Sequence, residues 1–491
     1  MLRSGIMKRT ALLLLVGFGI VGWASVYAQP EVVEDPTHRP LFMRNASVHD
    51  PSVIRVGDTY YVFGSHLASA KSDDLMNWTQ ISTNARTGNP LVPNPREEMQ
   101  EALEWAQTNT FWAPDVVQLE DGRFYFYYCT CEGSSPLSAL GVAVADNIEG
   151  SYTNLGVFLK SGMRGISPDG SWYNANHHPN AIDPHVFFDK EGQLWMVYGS
   201  YSGGIFILRM DPKTGFPLPD QGYGKKLMGG YHSRIEGPYI LYSPDSDYYY
   251  LFVSFGGLGS NDGYNIRVAR SQTPDGPYYD AKGTNMEIVR GTGSLSNDST
   301  IAPHGVKLMG NYQFLQVEGE QRGMSRGYKS PGHNSAYYDP DTGKYFLFFH
   351  TRFTNRGEYH EVRVHQLFIN EDGWPVAAPH RYAGETIREY AKEEVVGTYK
   401  FINHGRDVSG TVKESVVITL EEDGTVTGAL TGSWWCHDGY YLTIEVNGVE
   451  YKGVCIRQWD DDQAVWLMAF TALSGDGTAV WGSKVAWPDN L

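Results

Sequence analysis

Five stretches of this chain repeat one pattern: a polar start, a short apolar strand, a Gly/Asp turn and an aromatic-rich strand. They open at Asp50-Pro51-Ser52-Val53, Asp115-Val116-Val117, Asp183-Pro184-His185-Val186, Glu236-Gly237-Pro238-Tyr239 and His333-Asn334-Ser335-Ala336. The turns are Gly57-Asp58, Asp121-Gly122, Glu191-Gly192, Asp245-Ser246-Asp247 and Thr342-Gly343. Each unit reads as a β-hairpin. Recurrence along one chain reads as a repeat architecture. A propeller blade takes four strands and roughly 40–50 residues, so five starts between about residues 44 and 385 predict an all-β, five-bladed β-propeller, with room for inserted loops.

The rest of the chain frames that prediction. Residues 11–24 form an apolar run behind Lys8 and Arg9, and Val26-Tyr27-Ala28 precedes Gln29. This predicts a signal peptide over residues 1–28, too short to span a bilayer comfortably, and so a secreted or periplasmic protein. Loss of that segment removes Arg3, Lys8 and Arg9 and takes the formal charge from −17 to −20. So acidic a protein is a poor match for nucleic acid or an anionic membrane and suits a neutral substrate. Cys129 and Cys131 sit too close in one strand to bridge, whereas Cys436 and Cys455 are left open between a disulfide and buried thiols.

Between the first two hairpins, Asn94-Pro95-Arg96-Glu97-Glu98 starts a helical insertion that keeps its spacing through Gln107. Beyond a charged break at 385–394, residues 395–491 carry Val416–Leu420, Tyr440–Val446 and Ala464–Phe470 as strands, which predicts a small C-terminal β-sandwich or barrel domain. Its Trp434, Trp435, Trp459 and Trp466 suit a core better than a sugar platform.

The first strand of each blade lines the central channel, so residues at blade starts converge there. Asp50, Asp183 and Glu236 are read as equivalent positions in three blades. Like charges in one pocket raise at least one carboxyl pKa and give an acid beside a base, the requirement for glycoside hydrolysis. A single Asp-Pro or Glu-Gly-Pro reads as a strand cap; three in register favour chemistry. Trp112, Trp172, Tyr173, Tyr201 and Phe255 lie near the blade starts, where aromatic faces can take sugar C–H surfaces.

Val48-His49-Asp50-Pro51-Ser52-Val53, Phe111-Trp112-Ala113-Pro114-Asp115-Val116, Asn180-Ala181-Ile182-Asp183-Pro184, Ser233-Arg234-Ile235-Glu236-Gly237-Pro238 and Gly332-His333-Asn334-Ser335 closely resemble glycoside hydrolase family 43. Within it the chain is similar to the two-domain extracellular endo-1,5-α-L-arabinanases. The resemblance implies Asp50 as general base, Glu236 as general acid and Asp183 as the residue that orients and tunes the acid. It implies inversion, with the Asp50 and Glu236 carboxyls roughly 6.5–9.5 Å apart, and treats Asp115 as structural. It also implies a calcium ion held largely through water at His333, where residue chemistry alone suggests a substrate contact or a zinc ligand. Gly133, Asn180, Ala181, Ile182, Ser200, Tyr201, Ser202, His232, Ser233, Arg234 and Ile235 are expected to border the cleft, with His304, His177 and His178 at the surface or in support.

The expected partner is plant cell-wall arabinan and its oligosaccharides, bound by a monomer with no nucleic acid and, after signal removal, no membrane. An exo-acting α-L-arabinofuranosidase or β-xylosidase of the same family is the alternative, decided by whether the insertion at 84–110 or the loop at 160–180 blocks the cleft. A non-catalytic carbohydrate-binding propeller is a further reading, though none of the three acids is missing.

Overall fold

In this computed structural model, the structure describes residues 41–320 and 323–487. The predicted signal peptide lies outside them. Among the described residues no helix is long and apolar enough to cross a membrane.

The chain forms five antiparallel blades followed by a closed eight-stranded barrel. Blades one to four take their four strands in sequence order, from Ser52–Val56 to Thr79–Ser82, Asp115–Gln118 to Thr153–Ser161, His185–Phe188 to Lys225–Met228, and Ile235–Ser243 to Val306–Met309. Blade five runs outward from Tyr328–Asp339 to Pro375–Ala377. The strands are rich in Val, Ile, Tyr and Phe, which suit a pleated surface packed on both faces. The first hairpin of every blade turns through a left-handed residue: Gly57, Gly122, Gly192, Asp247 and Gly343. Glycine and aspartate take that conformation at little cost, which is why these turns stood out in the sequence.

Aromatic wedges fill the gaps between blades. Phe63, Phe111 and Phe126 pack between blades one and two, while Val53, Val62, Phe346 and Phe348 close blade one against blade five. Among the described residues no strand is shared across that closure. Val362 donates its amide to Ala46 (3.0 Å), and Arg55 reaches Asp339 (2.8 Å) and Asp341 (2.6 Å) on the neighbouring blade. The helical insertion forms Pro95–Glu98 and Gln100–Ala106 and buries Met99, Leu103 and Ala106 against blade two.

The second domain is a barrel rather than a sandwich. Its first strand, Gly397–Asn403, pairs with its last, Ala479–Lys484, and closes the ring. Trp434 and Trp459 are core, whereas Trp435 is exposed. The barrel shares one hydrophobic cluster with blades four and five, in which Val306, Leu308, Tyr312 and Val376 meet Ile402, Ile456 and Trp481. A buried Lys400–Glu320 ion pair at 2.8 Å crosses the same junction. The two-residue strand Lys413–Glu414 leaves the barrel to pair in parallel with Tyr312–Gln313 on blade five.

Candidate active site

The inner strands place the blade starts around one end of the channel, but not in the register read from the acids. Ser52↔Phe63, Asp115↔Tyr127, His185↔Val197, Tyr239↔Phe252 and Ser335↔Phe348 are corresponding strand pairs. Asp50, Ala113, Asp183, Gly237 and His333 therefore share the position two residues earlier. Glu236 lies one residue above that ring, and Asp115 belongs to the layer below it. The expectation that Asp50, Asp183 and Glu236 are strictly equivalent is corrected accordingly. Aligning the prolines (51, 114, 184 and 238) instead of the first acids recovers the true register.

Asp50, Asp183, Gly237 and His333 all have positive φ, at 56°, 54°, 58° and 45°. Three of these are not glycine, and such backbone costs of order 1–3 kcal/mol per residue unless the surroundings enforce it. The shared kink sits where the chain enters each inner strand and gathers these residues at the channel mouth.

Three imidazoles surround Asp50. Its carboxylate lies 2.8 Å from His49 Nδ1, 3.1 Å from His333 Nδ1 and 3.5 Å from His350 Nδ1. Ser65 Oγ donates to it at 2.5 Å, and its own amide donates to His350 Nδ1 at 3.1 Å. Burial alone would raise the Asp50 pKa; His333 and His49 outweigh it and hold the carboxyl well below the usual carboxylate range. Burial would also lower His333, but Asp50 and Asp183 raise it to about 9. Burial drives His350 well down, so it stays neutral and can accept the Asp50 amide.

Among the described residues no imidazole is in hydrogen-bond contact with Glu236. Ser200 Oγ donates to Oε2 at 2.9 Å. Burial raises its pKa, against the pull of His333 and the hydroxyls of Tyr264 and Ser200. Asp183 accepts the Gly237 amide at 3.2 Å, and burial, with Glu236 and Asp50 nearby, pushes it up to about 7. Asp115 faces away from this chemistry. It accepts the Ser52 hydroxyl and, at 2.6 Å, the Val186 amide, tying blades one, two and three together.

The remaining residues divide by what their side chains touch. Ala181, Ile182 and Ile235 are core side chains, and the backbone N–H and C=O of Ile182 and Ile235 are already paired within the protein, which leaves these two little to offer a ligand. Asn180 accepts from Ser138 Oγ at 2.5 Å. Arg234 is committed to Asp298 through Nε (3.1 and 3.2 Å) and Nη2. Tyr201 and Ser202 adopt left-handed backbone, with the Tyr201 hydroxyl on the Gly256 carbonyl, and Ser202 O accepts the amide of His232. The Ser233 hydroxyl is buried without a protein partner. Gly133 has φ 97°, and a Cβ there would press on the Trp112 ring at 3.1 Å. Phe255 is core, so it is no sugar platform. His178 pairs with Asp169 at 3.2 Å, and His304 lies 3.8 Å from Asp280.

Sequence reasoning missed His49, Ser65, Tyr264 and His350 as the surroundings of the acids. His49 stood inside a quoted motif; the other three carry no local signal. Among the described residues, His49, Asp50 and His350 present ligand atoms within 4.8 Å of one another, and no such group contains His333.

Comparison with known proteins agrees with this architecture. The profile of glycosyl hydrolases family 43 matches residues 43–309, and a C-terminal lipocalin-like domain matches 379–482. The extracellular endo-alpha-(1->5)-L-arabinanase 2 of Bacillus subtilis is 59% identical over 461 residues, covering 94% of this chain and 95% of the relative. The crystal structure of a family 43 glycoside hydrolase from Bacillus licheniformis superposes with a TM-score of 0.88 at 60% identity, over 91% of this chain and 99% of that one. That of the endo-1,5-alpha-L-arabinanase from Thermotoga petrophila gives 0.87 at 55% identity, over 91% and 100%. The chain belongs to glycosyl hydrolases family 43.

Proposed function

We propose that the protein is a secreted endo-1,5-α-L-arabinanase that inverts anomeric configuration. The observation that carries this is the contrast between two buried carboxyls at one channel mouth: Asp50 is gripped by imidazoles, Glu236 by a serine hydroxyl. Groups whose surroundings push their protonation apart make an acid and a base. Asp50, ionised, takes a proton from water on one side of the anomeric carbon. Glu236, protonated, gives its proton to the departing sugar oxygen. Asp183, bonded to the amide after Glu236, orients the acid, and like charge between these two buried carboxyls keeps one of them protonated. The arabinan substrate and internal cleavage are supported by the names of relatives that are 59% and 55% identical along most of both chains.

His333 is the proposed calcium site. With Nδ1 on Asp50 at 3.1 Å, the ring would offer an ion its other nitrogen, in the deprotonated form. Calcium prefers oxygen ligands, so such an ion would be held mainly through water. When bound, the ion supplies positive charge that lets three carboxyls share the channel.

The test is Glu236→Ala, assayed on linear arabinan. A loss of roughly 10²–10⁴-fold in kcat is expected for a general acid. Hydrolysis at the wild-type rate sinks the assignment. Proton NMR of the newly formed reducing end reads inversion, and an early mixture of oligomers, rather than arabinose alone, separates endo from exo action.

A further inference from the structure

The connection from blade two to blade three carries a feature that the three acids do not use. Residues 165–173 form a small hairpin. Ile166 and Trp172 bridge across it, Ser167 donates its amide to Ser171 O at 2.8 Å, and Tyr173 donates to Gly165 O at 3.0 Å. Its two bridged side chains point outward: Trp172 is 71% exposed and Ile166 58%. An exposed indole beside an exposed aliphatic group, on backbone that is itself hydrogen-bonded, is a fixed apolar surface and not a frayed loop.

Its base is braced. Asp169 accepts from Ser167 Oγ (2.6 Å) and from the Ser171 amide (3.0 Å), and lies 3.2 Å from His178. The Tyr173 hydroxyl donates to Pro179 O at 3.1 Å. The stem is then tied to the rim of the acid site. Tyr231 donates its amide to Asn176 O (3.0 Å), and Gly203 donates to His178 O (2.8 Å). The His177 ring meets the Tyr231 ring at 5.0 Å. From there the chain reaches Asp183 on one side and, through His232 and Ser233, Glu236 on the other.

We infer that Trp172, with Ile166, is a distal sugar platform that holds a stretch of polymer outside the cleft where bond cleavage occurs. This rests on the arabinanase reading and adds to it a determinant of preference for long chains. The chemistry selects a neutral polyol with apolar C–H faces: the platform is aromatic, its base is acidic, and a polyanion would meet Asp169. A hairpin hydrogen-bonded to the segments that lead into Asp183 and Glu236 can carry sugar residues beyond those held at the acids.

The test compares kcat/KM on linear arabinan with kcat/KM on arabinotriose for wild type, Trp172→Ala and Trp172→Phe. A sugar–aromatic contact of order 1 kcal/mol predicts a polymer-to-trimer ratio about five- to tenfold lower in the alanine variant, and largely restored by phenylalanine. Because the indole is solvent-facing, both variants should melt with the wild type, so a change in ratio reads the contact and not folding. An unchanged ratio in Trp172→Ala overturns the platform while leaving the arabinanase reading standing. A wild-type enzyme that cleaves neither substrate overturns both.

Discussion

Removal of the Asp115 carboxyl isolates what an acid at a blade start does when it lies one layer below Asp50 and Asp183. Asp115→Ala strands two buried donors, the Ser52 hydroxyl and the Val186 amide. Each unsatisfied donor costs about 1–3 kcal/mol, so the variant should lose about 2–6 kcal/mol. At roughly 2 cal/mol/K per residue of unfolding entropy, a chain of this length shifts Tm by about 1 °C per kcal/mol, so calorimetry should read a fall of about 2–6 °C. Ser52→Ala/Asp115→Ala should lose less than the sum of the two single variants, because the stranded hydroxyl is gone. The linkage has a definite sign. Burial pushes the folded Asp115 pKa up to about 7, above the usual carboxylate value, so the folded state holds the extra proton between pH ~4 and ~7. This group's contribution is therefore fully present at low pH and declines as pH rises through that window. The Tm difference between wild type and Asp115→Asn should accordingly shrink from pH 5 to pH 8. An Asp115→Ala variant with wild-type Tm and no activity would refute the reasoning, since it would make Asp115 a participant in the reaction.

Three further outcomes are expected. Ser200→Ala removes the hydroxyl that favours ionised Glu236, so the alkaline limb of the kcat–pH profile should move to higher pH; an unmoved or acid-shifted limb counts against Glu236 as the proton donor. Chelation by EDTA should lower both activity and Tm, and added calcium should restore them, with no change in either arguing against an ion at His333. The Cys436 and Cys455 sulfurs lie 3.8 Å apart as thiols. Oxidised glutathione, accepting their two electrons and two protons, should close them into a disulfide, read as an intact mass about 2 Da lower; since Cys129 and Cys131 leave two thiols in any case, four alkylatable thiols in the unfolded chain after oxidation would exclude it.

The hairpins were legible because their turn residues and aromatic strands are local signals, and five repetitions left few other folds. The gathering of Asp50, Asp183 and Glu236 in one buried cluster was legible too, since each sits in a short motif. Their relative heights were not. Reading the first acid of each repeat as equivalent set Asp115 beside Asp50, when the residues after Pro51, Pro114 and Pro184 show it to be the counterpart of Ser52 and His185. Nor could sequence supply His350, which reaches Asp50 across 300 positions of chain. The choice between sandwich and barrel turned on Gly397–Asn403 meeting Ala479–Lys484, a pairing of the domain's two ends that no local pattern encodes. The Arg234–Asp298 pair was hidden for the same reason. A long insertion folds back onto a motif whose arginine looked free for substrate.

The Lys413–Glu414 strand makes the two halves of the molecule poor candidates for separate existence. Truncation near residue 390 would leave Tyr312–Gln313 with an open sheet edge and uncover the apolar seat of Trp481, an invitation to self-association. The ring-shaped half and the closed half should therefore melt together in one transition, with the barrel acting as part of the scaffold rather than as a detachable appendage.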